Sequence, residues 1–402
     1  MLTANYLMNV AEPMVELWSQ IECDIIQDIS RRIAKNAGQL TETASWQIAK
    51  ARELGILQSD VADTVAKASA ASQKEVRALV LSACEEALAF DDRIYVEAGF
   101  KPLPITQSQA LMDVVNAGIT KTNGLMRNFT NTTATGAVRA FETGLDRAYM
   151  QVISGAFSYD EALRTVIRDL ARKGIDRVVY PSGSSIHMDA AARRALLTGL
   201  NQTTAQLQLA RMDELDTHLI ETTSHAGARP SHAQWQGGIY WRGKKVSGYE
   251  NFEDSTGYGT GDGLCGWNCY HSFFPYFEGI SQRAYHRSPA RLRGKTNDQM
   301  YEESQKQRYY ERKIRESRRE CAAYSAAKDA ATDPQAKASL ERMFQQASVL
   351  LKKREAALND FCTETNRTKL PDRVMVPAFN RSVSSRAVWA NRKAQRGKHG
   401  KK

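Results

Sequence analysis

The chain has 402 residues, 42% hydrophobic and 25% charged, enough for two or three globular domains with a real core. No run nears the ~18 apolar residues of a membrane helix, and the start, MLTANYLMNVAEPMVEL, has no basic stretch ahead of an apolar core, so neither a membrane span nor a secretory signal is expected. Six cysteines in so long a chain do not make a disulfide framework, and the formal net charge of +10 gathers at one end.

Residues 1–174 read as a helical arm or bundle. Met14, Leu17, Trp18, Ile21, Ile25, Ile29 and Ile33 recur at steps of three and four and make one apolar stripe. Pro13 suits the first turn of that helix, and Gly38 lies past its end. A second helix is expected over 58–92, capped by Ser59 or Asp60, and two more over 108–129 and 133–154. A short amphipathic helix follows over 158–174, with Ser158 or Asp160 as cap and Gly174 as stop.

Residues 175–290 have another texture and read as a small α+β domain. Val178, Val179 and Tyr180 form a β-like run ended by Pro181 and Gly183, and an Ala-rich helix runs from Met188 to about Leu215. Thr217 to Thr223 is again β-like. Between Trp235 and Tyr285 stand thirteen of the 33 aromatic residues and ten of the 25 glycines, which implies a compact, turn-rich β unit held by bulky rings. Residues 291–367 read as a charged helical hairpin broken at Asp333-Pro334, and 368–402 as an extended basic tail. The fold class is therefore α+β: an elongated helical N-terminal half, a small aromatic and Gly-rich α+β domain, a C-terminal helical hairpin and a basic tail.

Four constellations carry possible chemistry. Cys23, Cys84, Cys321 and Cys362 sit in helical segments and read as buried thiols. His225, His232, Cys265, Cys269 and His271 are different, because thiolate and imidazole are the ligands of zinc. The alternative is that these side chains cap turns inside an aromatic core. Cys265 or Cys269 with His225 or His232 as base is a further option, but the flanks of known cysteine nucleophiles are missing. GYGTGDG (257–263) lacks the strand and helix that flank a phosphate loop and reads as a flexible hairpin loop.

The last 22 residues carry eight basic side chains and no acid. Arg386, Arg392, Lys393, Arg396, Lys398, Lys401 and Lys402 would contact a polyanion such as DNA without reading its sequence; Arg283 to Arg293 is a second basic stretch. The tail alone should be disordered, and its plain alternative is a solvated, solubilising end.

Two stretches resemble the phage minor capsid protein 2 family, itself similar to the phage Mu F-like head-morphogenesis proteins. They are HAGARPSHAQWQGGIYW (225–241) and STGYGTGDGLCGWNCYHSFFPYFEG (255–279). The matching positions are His225, Arg229, Pro230, His232, Gly237, Asn268 and Cys269, with Arg229, Pro230, Gly237 and Asn268 as the structural part of the motif. TKTNGLMRNFTNTTATGAVRAFETGLDRAYMQVISGAFSYDEAL (120–163) looks like the helical part of the same family, so the likeness spans roughly residues 12–290. The Mu F-like pattern usually closes as Asn-Cys-x-Cys, whereas this chain has Asn268-Cys269-Tyr270-His271, with Cys265 upstream.

The resemblance implies a minor structural protein of a tailed-phage head, made in the host cytoplasm and carried in the virion. Its expected partners are the portal protein, with capsid or scaffold protein, and non-specific DNA through the tail. No catalytic residues are assigned, and the possible cofactor is zinc. The rival reading is a hydrolase or transferase of the small domain, using His225, His232 and Cys269 and delivered with the genome.

Overall fold

The computed structural model describes residues 1–35, 43–154, 159–175, 178–179, 185–186, 188–287 and 292–399. In chain order the helices are α1 (Ala4–Asn9), α2 (Glu12–Lys35), α3 (Thr43–Glu97), α4 (Gln109–Ile153) and α5 (Tyr159–Lys173). Strands β1 (Val178–Val179) and β2 (Ser185–Ile186) form a short antiparallel pair before α6 (Met188–Glu214). Then come β3 (Leu219–Thr222), α7 (Pro230–Ala233), β4 (Ile239–Trp241), β5 (Glu250–Asn251), α8 (Phe252–Thr256) and β6 (Phe273–Pro275). Helices α9 (Asn297–Ala330), α10 (Pro334–Glu364) and α11 (Arg381–His399) complete the chain. None of the described helices is long and apolar enough to cross a membrane.

The expected helices are present, but two boundaries differ. Ser59 and Asp60 cap nothing: α3 begins at Thr43 and passes through them, and Asp60 instead pairs with Arg32 at 2.7 Å. The two helices expected over 108–129 and 133–154 are one, because the Thr/Asn stretch between them lacks the Gly or Pro that would end a helix. Gly38 and Ser158 lie outside the described residues.

Two compact units make up the chain. One holds Met1–Val15, Ala70–Asn128 and Ala192–Gln305; the other holds Glu16–Ser69, Phe129–Ala191 and Lys306–Lys402. The consecutive segments expected from the sequence, 1–174, 175–290, 291–367 and 368–402, are not these units. Helices α2, α3, α4, α6 and α9 each contribute to both, and an unbroken helix leaves no boundary signal in composition.

Among its described residues, the second unit is helical apart from its connections and the β1–β2 pair. The stripe of α2 is buried at Trp18, Ile21, Ile25, Ile29 and Ile33, as its periodicity requires. Helix α9 buries small side chains, Ala322, Ala323, Ala326 and Ala327, which permits close helix approach. Asp333 caps α10, its carboxylate accepting the Ala336 N–H at 2.7 Å, with Pro334 in the first turn. Arg319 and Glu22 are both buried and face each other at 3.9 Å, and Arg319 also donates to the Ala171 carbonyl at 3.0 Å. The segment expected to be an extended tail folds from Arg381 onward as α11. Val383, Ala387 and Ala390 recur at helical spacing and are buried, which supplies the packing that a merely basic tail would lack.

In the first unit the four strands lie in the order β5-β4-β3-β6. Strand β3 is central and antiparallel to both neighbours, pairing Ile220 with Tyr240 and with Pro275, while β5 joins β4 in parallel. Buried on all four residues, β3 packs its sheet against a core of Tyr95, Met212, Trp235, Phe252, Leu264 and Phe273. Within the same unit α4 and α6 meet at two reciprocal contacts. A Cβ on Gly118 would collide with the Thr203 side chain, and one on Gly199 would collide with the Thr122 side chain.

Candidate functional site

The His/Cys and motif residues singled out from the sequence gather beside β3, where three segments meet. The first is the GARP turn. Pro230, with its preset φ and missing N–H, starts α7, and this single turn aims His232 into the core. Arg229, just before it, donates to the Trp267 carbonyl at 3.2 Å and lies 3.8 Å from an Asp262 carboxylate oxygen, tying the turn to the Gly-rich loop. The second segment is that loop. It is not a hairpin, since it runs from α8 to β6 and β5 and β6 are not paired with each other, and it folds on itself: Leu264 N–H donates to Thr256 O at 3.0 Å and Trp267 N–H to Gly261 O at 2.7 Å. The third is Cys269 to His271, reached through Asn268 in the left-handed region at φ 52°.

Gly237 has φ +65°, and a Cβ there would collide with the His286 carbonyl. The motif glycine is thus a backbone requirement. It lets the chain return to β4 beneath the 283–287 segment, where Tyr285 N–H donates to the buried Glu221 carboxylate at 2.5 Å.

Three of the five possible metal ligands converge. One donor atom each of His232, Cys269 and His271 lies within 4.8 Å of the others, and all three side chains are buried. Cys269 Sγ is 3.8 Å from His232 Nδ1 and 3.7 Å from His271 Nδ1. The other two stand aside. Cys265 Sγ points at the His271 carbonyl, 3.8 Å away, and His225 stacks its ring on His271 at 4.3 Å with its own Nδ1 toward Ala226 O.

The neighbours fix the tautomers. His232 Nε2 is 2.8 Å from the Asp262 carbonyl, an acceptor only, so Nε2 carries the proton and Nδ1 is bare. The His225 backbone N–H donates to Gln236 Oε1 at 3.0 Å, which orients that amide; the same oxygen faces His271 Nε2 at 2.9 Å, so His271 also keeps its proton on Nε2. Both bare Nδ1 atoms therefore face one sulfur.

Burial lowers the pKa of His232 and, further, of His271, keeping both rings neutral. It pushes the Cys269 thiol up to about 11 and Cys265 well above its ordinary value. An activated cysteine shows the opposite shift, so the charge pattern does not prepare Cys269 as a nucleophile.

Asn201 and Gln208, two turns apart on α6, hold the third segment and the start of β6 from behind. Asn201 Nδ2 donates to the carbonyls of Cys269 and His271, both at 3.1 Å, and Gln208 to Phe273 O at 2.6 Å. Sequence reading missed Asn201, Gln208 and Gln236. Asn201 and Gln208 were signalled only by their seven-residue spacing on α6, a face that also carries the buried Thr204, and Gln236 by nothing.

The basic residues of the tail are dispersed along α11. Arg392 and Lys393 are exposed next to the exposed Val388 and Trp389, and the Lys393 ammonium lies 5.3 Å over the Trp389 ring. Arg386 is half-buried and 3.6 Å from Asp329. Arg396 and Lys398 fall on the helix, whereas Lys401 and Lys402 lie outside the described residues.

Residues 2–363 match the family described as phage minor capsid protein 2. A protein described as "Structural protein", from Lactococcus phage LL-H, is 25% identical over 289 residues, covering 68% of this chain and 76% of that protein. No solved structure matches at a significant level.

Proposed function

The chain belongs to the phage minor capsid protein 2 family, and from that premise we propose that it is a minor structural protein of a tailed-phage head that associates with the portal vertex during assembly. The observation that carries the reading is the extent of the match, residues 2–363, which takes in both the helices and the His/Cys motif. It is a phage structural protein, in line with its relative from phage LL-H. Within this reading, helices of the first 174 residues are the ones that dock on the portal. Capsid or scaffold protein is a further partner within this reading. The exposed Arg392, Lys393 and Trp389 of α11 suit non-specific contact with packaged DNA.

Mass spectrometry of purified virions and procapsids tests the role, with chemical cross-linking to locate the neighbour. The chain should be present at low copy and cross-linked to the portal protein. Its absence from both particles would overturn the structural reading, and cross-links to the major capsid protein alone would overturn the portal assignment.

A further inference from the structure

The tautomers of the buried cluster pose a problem of proton counting. His232 and His271 each hold their proton on Nε2, and each aims a bare Nδ1 at Cys269 Sγ, 3.8 and 3.7 Å away. A thiol has one proton and can satisfy one of the two acceptors. Among the described residues no other donor faces either Nδ1, so one buried acceptor would be left facing a sulfur lone pair.

A cation in place of the proton removes the conflict, because three lone pairs then share one acceptor of electrons. The nitrogen–sulfur distances fit: tetrahedral zinc, with Zn–N of ~2.0 Å and Zn–S of ~2.3 Å, holds nitrogen and sulfur ligands about 3.6 Å apart. The surroundings also fit. Each ligating imidazole would donate its other N–H to a fixed oxygen, Asp262 O or Gln236 Oε1, which is the outer-shell pattern of protein zinc sites.

We propose that His232 Nδ1, Cys269 Sγ and His271 Nδ1 bind a zinc ion that ties α7 to the segment entering β6. Binding releases the Cys269 proton to solvent, leaving two neutral imidazoles and one thiolate on the metal. These supply three of the four usual ligands. Cys265 and His225 are neighbours of the site and do not coordinate. The assignment concerns the isolated chain and holds whether or not the protein sits at the portal.

The test is elemental analysis of the untagged full-length protein, followed by Co2+ titration of the chelator-treated sample. About one zinc per chain is expected, and Co2+ should produce a thiolate-to-metal charge-transfer band that zinc abolishes. The band should be lost in Cys269→Ser and kept in Cys265→Ser. Gln236→Leu should weaken Co2+ binding by about 10–100-fold while leaving the band itself in place. The wild-type measurement does not depend on whether the variants fold. A folded wild-type protein with neither bound zinc nor a Co2+ band would overturn the site, and a band that survives Cys269→Ser or vanishes in Cys265→Ser would overturn the ligand set.

Discussion

The strand region around β3 and the helices α2, α9, α10 and α11 bury comparable chemistry by different means. Among the helices, position follows from side-chain period. Trp18 and the isoleucines of α2 are buried because they recur every three or four residues, and α11 is held by Val383, Ala387 and Ala390 on the same rule. Around β3, position follows from the backbone. Gly237 and Asn268 adopt positive φ, and carbonyls of Asp262, Cys269 and His271 serve as anchors for side chains distant in sequence. A helix region of this kind should be sensitive to reduced core volume and tolerant of added methyls at exposed sites. The turn region should respond in the opposite way.

The largest effect should come from Trp18→Ala, which empties a fully buried site and is expected to cost about 3–5 kcal/mol in urea denaturation. Gly237→Ala adds only one methyl, yet should cost about 2–4 kcal/mol, because it combines a left-handed φ with a backbone clash. If Gly237→Ala proved neutral, the backbone-governed account of the β3 region would fail.

Glu221 gives a pH test of that same region. Burial, as the largest influence, raises its pKa, with the N–H groups of Tyr285 and Ala284 opposing. A raised carboxyl pKa means that its favourable contribution is full below the unfolded value of about 4.3 and is lost as pH rises through the folded value. Glu221→Gln should therefore gain stability relative to the native chain between acidic and neutral pH. Denaturation midpoints that run parallel across that range would contradict it.

Smaller effects sharpen the helical side. A Cβ on Gly55, exposed in the N-terminal part of α3, would meet nothing within 4 Å, so Gly55→Ala should stabilise by roughly 0.5–1 kcal/mol in the same assay. Replacing Arg392 and Lys393 by Gln should change stability by less than about 0.5 kcal/mol. The salt dependence of DNA binding should become shallower by about 0.9 in logarithmic slope for each phosphate that is no longer neutralised. An unchanged slope would remove α11 from any role in holding DNA.

The helices were legible in the sequence because their period is local. The α9–α10 break at Asp333-Pro334 was legible because capping chemistry is local too. Helix α11 was not, since eight basic residues without an acid mask the buried Val383, Ala387 and Ala390. At the site, residue types named five possible ligands, and the fold brings three together. Spacing could not separate Cys265 from Cys269, because the difference lies in the direction of the chain through the left-handed Cys265 and Asn268. Gln236 carried no signal and Asn201 only its spacing from Gln208, and their roles appear only when backbone N–H and carbonyl groups are located.

The reciprocal Gly118–Thr203 and Gly199–Thr122 contacts give α6 a single indexed position along α4. Sliding by one turn, about 5.4 Å, would undo both fits: one direction brings Leu207 to Gly118 and Met126 to Gly199, and the other leaves the two glycines facing each other with no side chain between them. Asn201 lies between Gly199 and Thr203 and holds the carbonyls of Cys269 and His271. The helix crossing thus works as a ruler for the loop that carries two of the three converging donors. A methyl added at Gly118, a residue with no polar chemistry of its own, should be felt first as a displaced imidazole.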